Sequence, residues 1–101
     1  MYNLDELLGE VVTIKFNNGI EIVALLGHIN EDDNIVTLAN PRVVVINGDQ
    51  GLALIPYAFT ADTSSVFVPM TSIQAMLKTV NESVEDYNDV VAGKAPKERK
   101  G

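Results

Sequence analysis

The sequence predicts a mainly β domain of five strands, with a short helical turn before them and one helix after them. Apolar residues alternate through Val11 to Phe16, placing Val12, Ile14 and Phe16 on one face of a strand. Asn17-Asn18-Gly19 and Asn47-Gly48 separate apolar runs of strand length, and Asn-Gly between such runs signals a hairpin. From Val80 onward the period changes, with Val80, Val84, Tyr87 and Val91 at roughly helical spacing. At 101 residues and 10.9 kDa the chain has room for one core. A hydrophobic share of 47% with 21% charge is globular, and with aromatics at only 6% and no Trp the core rests on Val, Ile and Leu.

Each element follows in turn. Residues 3–8 form one or two helical turns, with Asn3 as N-cap and Asp5 and Glu6 at the positive helix end; Gly9 ends them. The second strand, Ile20 to Ile29, carries Ile20, Ile22, Ala24 and Leu26 on one side and Val23, Leu25 and Ile29 on the other. His28 falls on the face of Leu26 and Asn30. The polar loop Asn30-Glu31-Asp32-Asp33 leads into a third strand, Asn34 to Ile46. Pro41 within it donates no ladder hydrogen bond and predicts a bulge, bend or exposed edge. Leu52 to Thr60 and Ser65 to Val68 read as parts of one fourth strand, broken near residues 61–64. Pro69-Met70-Thr71 makes a tight corner, and Ser72 to Leu77 is the fifth strand. Thr79-Val80-Asn81-Glu82 fits a capping box opening a helix over 79–92, closed by Gly93. Residues 1–93 thus make one domain with its strands over 10–77, and residues 94–101, basic and without an apolar anchor, form a disordered tail.

Charge narrows the partners. Fourteen acidic residues oppose seven basic ones, a net charge of −7. Four of the cations lie in the last eight residues, so residues 1–93 carry thirteen acids against Lys15, Arg42 and Lys78, a net of −10. Lys and Arg supply most sequence-blind affinity for nucleic acid. The acidic body therefore argues against broad, sequence-blind binding to DNA or RNA and leaves room for a small pocket taking a few exposed bases. The chain has no cysteine, which excludes disulfides, thiolate metal sites and cysteine nucleophiles together. A small domain without such staples gains stability by associating with its own copies. No apolar run approaches the ~18 residues of a membrane span, and the acidic N-terminus lacks the features of a signal peptide. A cytoplasmic protein with no membrane partner is expected.

The pattern Val12-x-Ile14-x-Phe16-x-x-Gly19, followed by Ile22, Ala24, Leu26, Ile29, Asn30 and Asn34, resembles the first motif of the Sm-like family of Sm and LSm proteins, in a bacterial or phage-type form. Counted from the turn glycine, the family's small residue, leucine, Asp and Asn fall on Ala24, Leu26, Asn30 and Asn34. Val66 to Ile73 lies where the second motif belongs. The resemblance implies a strongly bent five-stranded antiparallel sheet, close to a small open barrel. It further implies a homo-oligomeric ring in which strand edges near Val66–Val68 and Ile73–Leu77 pair between copies. An RNA-binding or RNA-chaperone role follows from the same resemblance, with Asn30 and Asn34 as the RNA-binding candidates and single-stranded RNA as the partner. The alternative is a structural or protein-interaction ring that has lost RNA binding. It is favoured by Asp32, which stands where a base-stacking aromatic or His is usual, and by Pro69-Met70, which stands where the family carries Arg-Gly or Lys-His.

Each polar feature has a plainer reading beside the functional one. Asn30 and Asn34 also suit a turn whose backbone they satisfy. Glu31-Asp32-Asp33 with Asn30 and Asn34 has part of the spacing of a calcium loop, yet Ile35 and Pro41 occupy positions that need Gly and Glu, so no metal is expected. A lone His28 without a partnered acid, and serines without a nucleophile motif, give no catalytic residues, no cofactor and no enzyme. The acidic back of the C-terminal helix leaves its apolar stripe to cover the sheet or to dock a protein partner.

Overall fold

A computed structural model describes residues 4–93. The expected tail at 94–101 and the N-cap Asn3 lie outside them. The elements run in order: a 3₁₀ turn at Leu4–Leu7, then β1 (Val11–Phe16), β2 (Glu21–Asn30), β3 (Ile35–Ile46), a second 3₁₀ turn at Gly48–Gln50, β4 (Leu52–Pro56), β5 (Val66–Pro69), a third 3₁₀ turn at Met70–Ser72, β6 (Ile73–Lys78) and the helix α1 (Asn81–Val91). All strand pairs are antiparallel, in the order β4-β3-β2-β1-β6, with β5 also on β3. The sheet is bent and unclosed. Among the described residues β6 pairs only with β1, and β4 and β5 pair only with β3.

One face of this sheet encloses the core. Val12, Ile14, Phe16, Ile22, Ala24, Leu26, Val36, Leu38, Val68 and Met76 come from five strands and pack into a single cluster, closed at one end by Leu7. A single sheet can bury its own face in this way only by curling. The register delivers the right residues: Val12 lies opposite Ala24, Ile14 opposite Ile22, and Ile14 again opposite Met76.

Bulges set the curl. The β2–β3 ladder passes from Val23↔Arg42 to Leu25↔Ala39, leaving Asn40 and Pro41 opposite Ala24 alone. It then passes from Leu26↔Leu38 to His28↔Thr37, which leaves Gly27 as the extra residue of β2 and restores the register. The expected bulge at Pro41 is therefore present, with Pro41 itself buried and Asn40 at φ 49°. The second bulge corrects the assignment of faces. Past Gly27 the alternation inverts, so Ile29 joins the core and His28 leaves the face of Leu26.

The interrupted fourth strand takes the form of β4 and β5, two strands along the same edge of β3. The break falls opposite Asn40-Pro41, where Pro41 has no N–H to offer and the Asn40 N–H bonds instead to the Thr63 carbonyl at 3.0 Å.

The helix attaches to the opposite face of the sheet. Its start departs from the expected capping box: Val80 is the N-cap residue and makes no side-chain cap. The Thr79 hydroxyl is buried and engaged elsewhere, 2.9 Å from that of Thr13 on β1. Of the apolar stripe, only Tyr87 is buried, while Val80 and Val91 stay exposed. The Tyr87 hydroxyl accepts from the Leu25 N–H at 3.2 Å and donates to the Ala39 carbonyl at 2.8 Å. Those two residues face each other between the two bulges, so the phenol bridges the ladder where it is most disturbed.

Candidate nucleic-acid interface

The two loops marked by the sequence motifs meet at one end of the bent sheet. The turn over residues 31–34 closes β2 onto β3, and it is tied locally. Asn30 Nδ2 donates to Asp33 Oδ2 at 3.0 Å, while the Asp33 N–H donates to Asn30 Oδ1 at 3.1 Å. This is an Asx-type turn, the plainer of the two roles open to Asn30. Asn34 takes a left-handed backbone at φ 58°, which Asn tolerates better than most residues, and it is exposed. Its carbonyl accepts from the Met70 N–H at 2.9 Å.

That bond joins the first loop to the corner after β5. The corner is fixed from its other side by the β1–β2 hairpin. Asn17 Nδ2 donates to the Thr71 carbonyl at 2.7 Å, the Asn17 N–H donates to the Ser72 carbonyl at 3.0 Å, and Ser72 Oγ donates to the Pro69 carbonyl at 2.7 Å. Three segments far apart in sequence thus form one rigid rim. On it Asn34 is exposed, Asn30 holds the turn, and Glu31, Asp32 and Asp33 are exposed carboxylates. Among the described residues no three carboxylate or imidazole groups converge as metal ligands would.

Beside the rim lies an apolar cleft of about 470 Å³ between the hairpin and β5, lined by Phe16, Ile20, Tyr57, Val66, Phe67 and Val68 among others. The Phe16 and Tyr57 rings are tilted at 41° with centroids 6.4 Å apart, and Phe67 is 70% exposed. Sequence reasoning singled out neither Tyr57 nor the cleft. Tyr57 reads as one more residue of a strand, and only long-range folding brings it to Phe16. Among the described residues no helix is long and apolar enough to cross a membrane.

No protein-family model matches the sequence, and no curated protein matches it. The fold is similar to that of the SmAP1 heptamer of P. aerophilum, with a TM-score of 0.53 and 14% identity over 77% of this chain and 89% of that one. It is similar also to a heptameric archaeal Sm protein, with a TM-score of 0.53 and 13% identity over 76% of this chain and 96% of that one. A chain of the NatC complex bound to CoA has a TM-score of 0.52 and 11% identity over 78% of this chain and 87% of that one. The fold is Sm-like.

Proposed function

We propose that the protein is a non-enzymatic subunit of a homo-oligomeric ring that contacts single-stranded RNA at the rim formed by residues 30–34 and 69–72. The observation that carries this reading is the Met70–Asn34 hydrogen bond, which joins the two loops the sequence motifs mark. Two free sheet edges support the ring. Among the described residues β5 and β6 each pair on one side only, and neither contains an acidic residue although the body is strongly acidic. Pairing β5 of one copy with β6 of the next satisfies both edges and covers the apolar cleft beside Phe67. The heptameric assembly of two proteins with this fold agrees with it. Repetition around a pore sets several copies of Asn34 about one axis, each with an amide for a base edge.

The test is native mass spectrometry of the protein with short oligo-U and oligo-A RNAs, followed by affinity measurements on Asn34→Gly. Glycine removes the amide and keeps the left-handed backbone, whereas Asn34→Ala adds strain at φ 58°. Rings carrying RNA, with affinity reduced about tenfold in Asn34→Gly, are expected, as for loss of one base-edge contact. Unchanged affinity in that variant overturns the site. Rings that stay bare support the second reading, a protein-interaction scaffold. That reading draws on the Asn30 side chain being held by Asp33 and on the membership of a similar chain in a multiprotein complex.

A further inference from the structure

The hairpin of β3 and β4 extends as an arm with apolar residues on both faces. Its strands pair from Arg42↔Pro56 to Ile46↔Leu52 and read Val43-Val44-Val45-Ile46 and Leu52-Ala53-Leu54-Ile55. Such uninterrupted apolar runs belong to strands covered on both sides. Yet toward the tip Ile46 is 82% and Leu52 64% exposed. Ring closure does not cover them. β6 has six residues, and at ~3.4 Å per residue it spans about 20 Å. That length satisfies β5 or β4 but not both, because β5 lies opposite Ile35 to Leu38 and β4 opposite Arg42 to Ile46, together the whole 12-residue length of β3.

Charge indicates what covers the arm. Within residues 42–56 the only ionic side chains are Arg42 at the base and Asp49 at the tip. The acidic body disfavours a broad anionic surface, whether a membrane or a length of duplex, as the cover. A second copy of the arm, laid antiparallel, matches on both counts. Apolar residues meet apolar residues, and each Asp49 approaches the other copy's Arg42, which keeps the two Asp49 carboxylates apart. The contact is isologous, as a two-fold interface requires. We infer that the β3–β4 arm pairs with the same arm of a second copy. Where the ring reading of the preceding section holds, the product is two rings joined through their arms. The 31–34 turns then face outward, since they lie at the other end of β3.

Native mass spectrometry tests this on the full chain, on Ile46→Asp/Leu52→Asp and on Asp49→Arg. The wild type is expected at twice the mass of a ring, the double variant at one ring, and Asp49→Arg with the joined form weakened about tenfold, as for a close interfacial charge reversal. Ile46 and Leu52 are exposed but face each other across the β3–β4 ladder, where two carboxylates repel, so a retained ring mass is the check that the double variant keeps its fold. A wild type at single-ring mass, or a double variant still at twice that mass, overturns the inference while the ring stands. A wild-type dimer without rings, split by the double variant, upholds the arm contact and overturns the ring. A monomer overturns both.

Discussion

Tyr87 couples the helix to the sheet through one oxygen. Its hydroxyl serves the Leu25 amide and the Ala39 carbonyl, two residues that face each other between the two bulges of the β2–β3 ladder. Tyr87→Phe leaves both backbone groups without it, and a loss of roughly 1–3 kcal/mol in urea unfolding is expected. Burial also holds the phenol above its ordinary value, against the opposing effects of the Leu25 N–H and the Arg42 charge. Unfolding restores the ordinary value near 10, so the unfolded chain releases this proton first. The stability the neutral phenol contributes is complete below that pH and declines as pH rises through it toward the folded value. The wild-type advantage over Tyr87→Phe should therefore shrink above pH ~10. An advantage that stays constant to higher pH refutes the linkage. The same scale contains a coupled pair, the Thr13 and Thr79 hydroxyls at 2.9 Å. Changing either to Val strands the other, while changing both removes the polar pair together. A double-mutant cycle should yield a coupling of about 1 kcal/mol.

At the scale of elements, β1 and the Asn-Gly hairpin are legible because they depend on neighbours in sequence: an alternating strand and a turn glycine at φ 91°. The bulge at Pro41 is legible because a missing N–H is a local fact. What hides from sequence is what the sheet decides. Gly27 is extra only because β3 carries its own extra residue two pairs earlier, so the face of Ile29 cannot be read from alternation along β2 alone. Thr79 has the identity of a cap, yet β1 offers its hydroxyl a better partner across 66 residues. The candidate site divides the same way. Asn30 and Asn34 are named by the resemblance to the Sm-like first motif, whereas the contact from Asn34 to Met70, and the cleft of Phe16, Tyr57 and Phe67, exist only once β5 has folded against β3. The paired bulges also make a prediction. Asn40→Gly keeps the left-handed residue at φ 49° and should shift stability by less than about 1 kcal/mol, whereas Asn40→Val forces a β-branched residue there and should cost more than that. Equal stabilities in thermal unfolding would show that Asn40 relaxes out of the bulge.

For the whole molecule, electrostatics and edge pairing oppose each other. Each body carries a net −10, so bringing copies together costs repulsion that grows with every subunit added to a ring. The strands proposed to meet, β5 and β6, hold no acid and one Lys, so the attraction between them is apolar contact and backbone hydrogen bonding rather than ion pairs. Salt acts unequally on these contributions. Screening shortens the reach of the repulsion from about 10 Å at 0.1 M to about 3 Å at 1 M and leaves the backbone bonds almost untouched. Assembly should therefore tighten as salt rises, the monomer-to-ring step moving to lower protein concentration in sedimentation experiments. RNA contact should move the other way but only weakly, because the rim offers amides and not a row of cations to phosphate. A ring that falls apart with salt would place ion pairs at its seams, contradicting the pairing of β5 with β6. A steep loss of RNA with salt, the ring intact, would instead move the contact from Asn34 to the basic residues at 94–100.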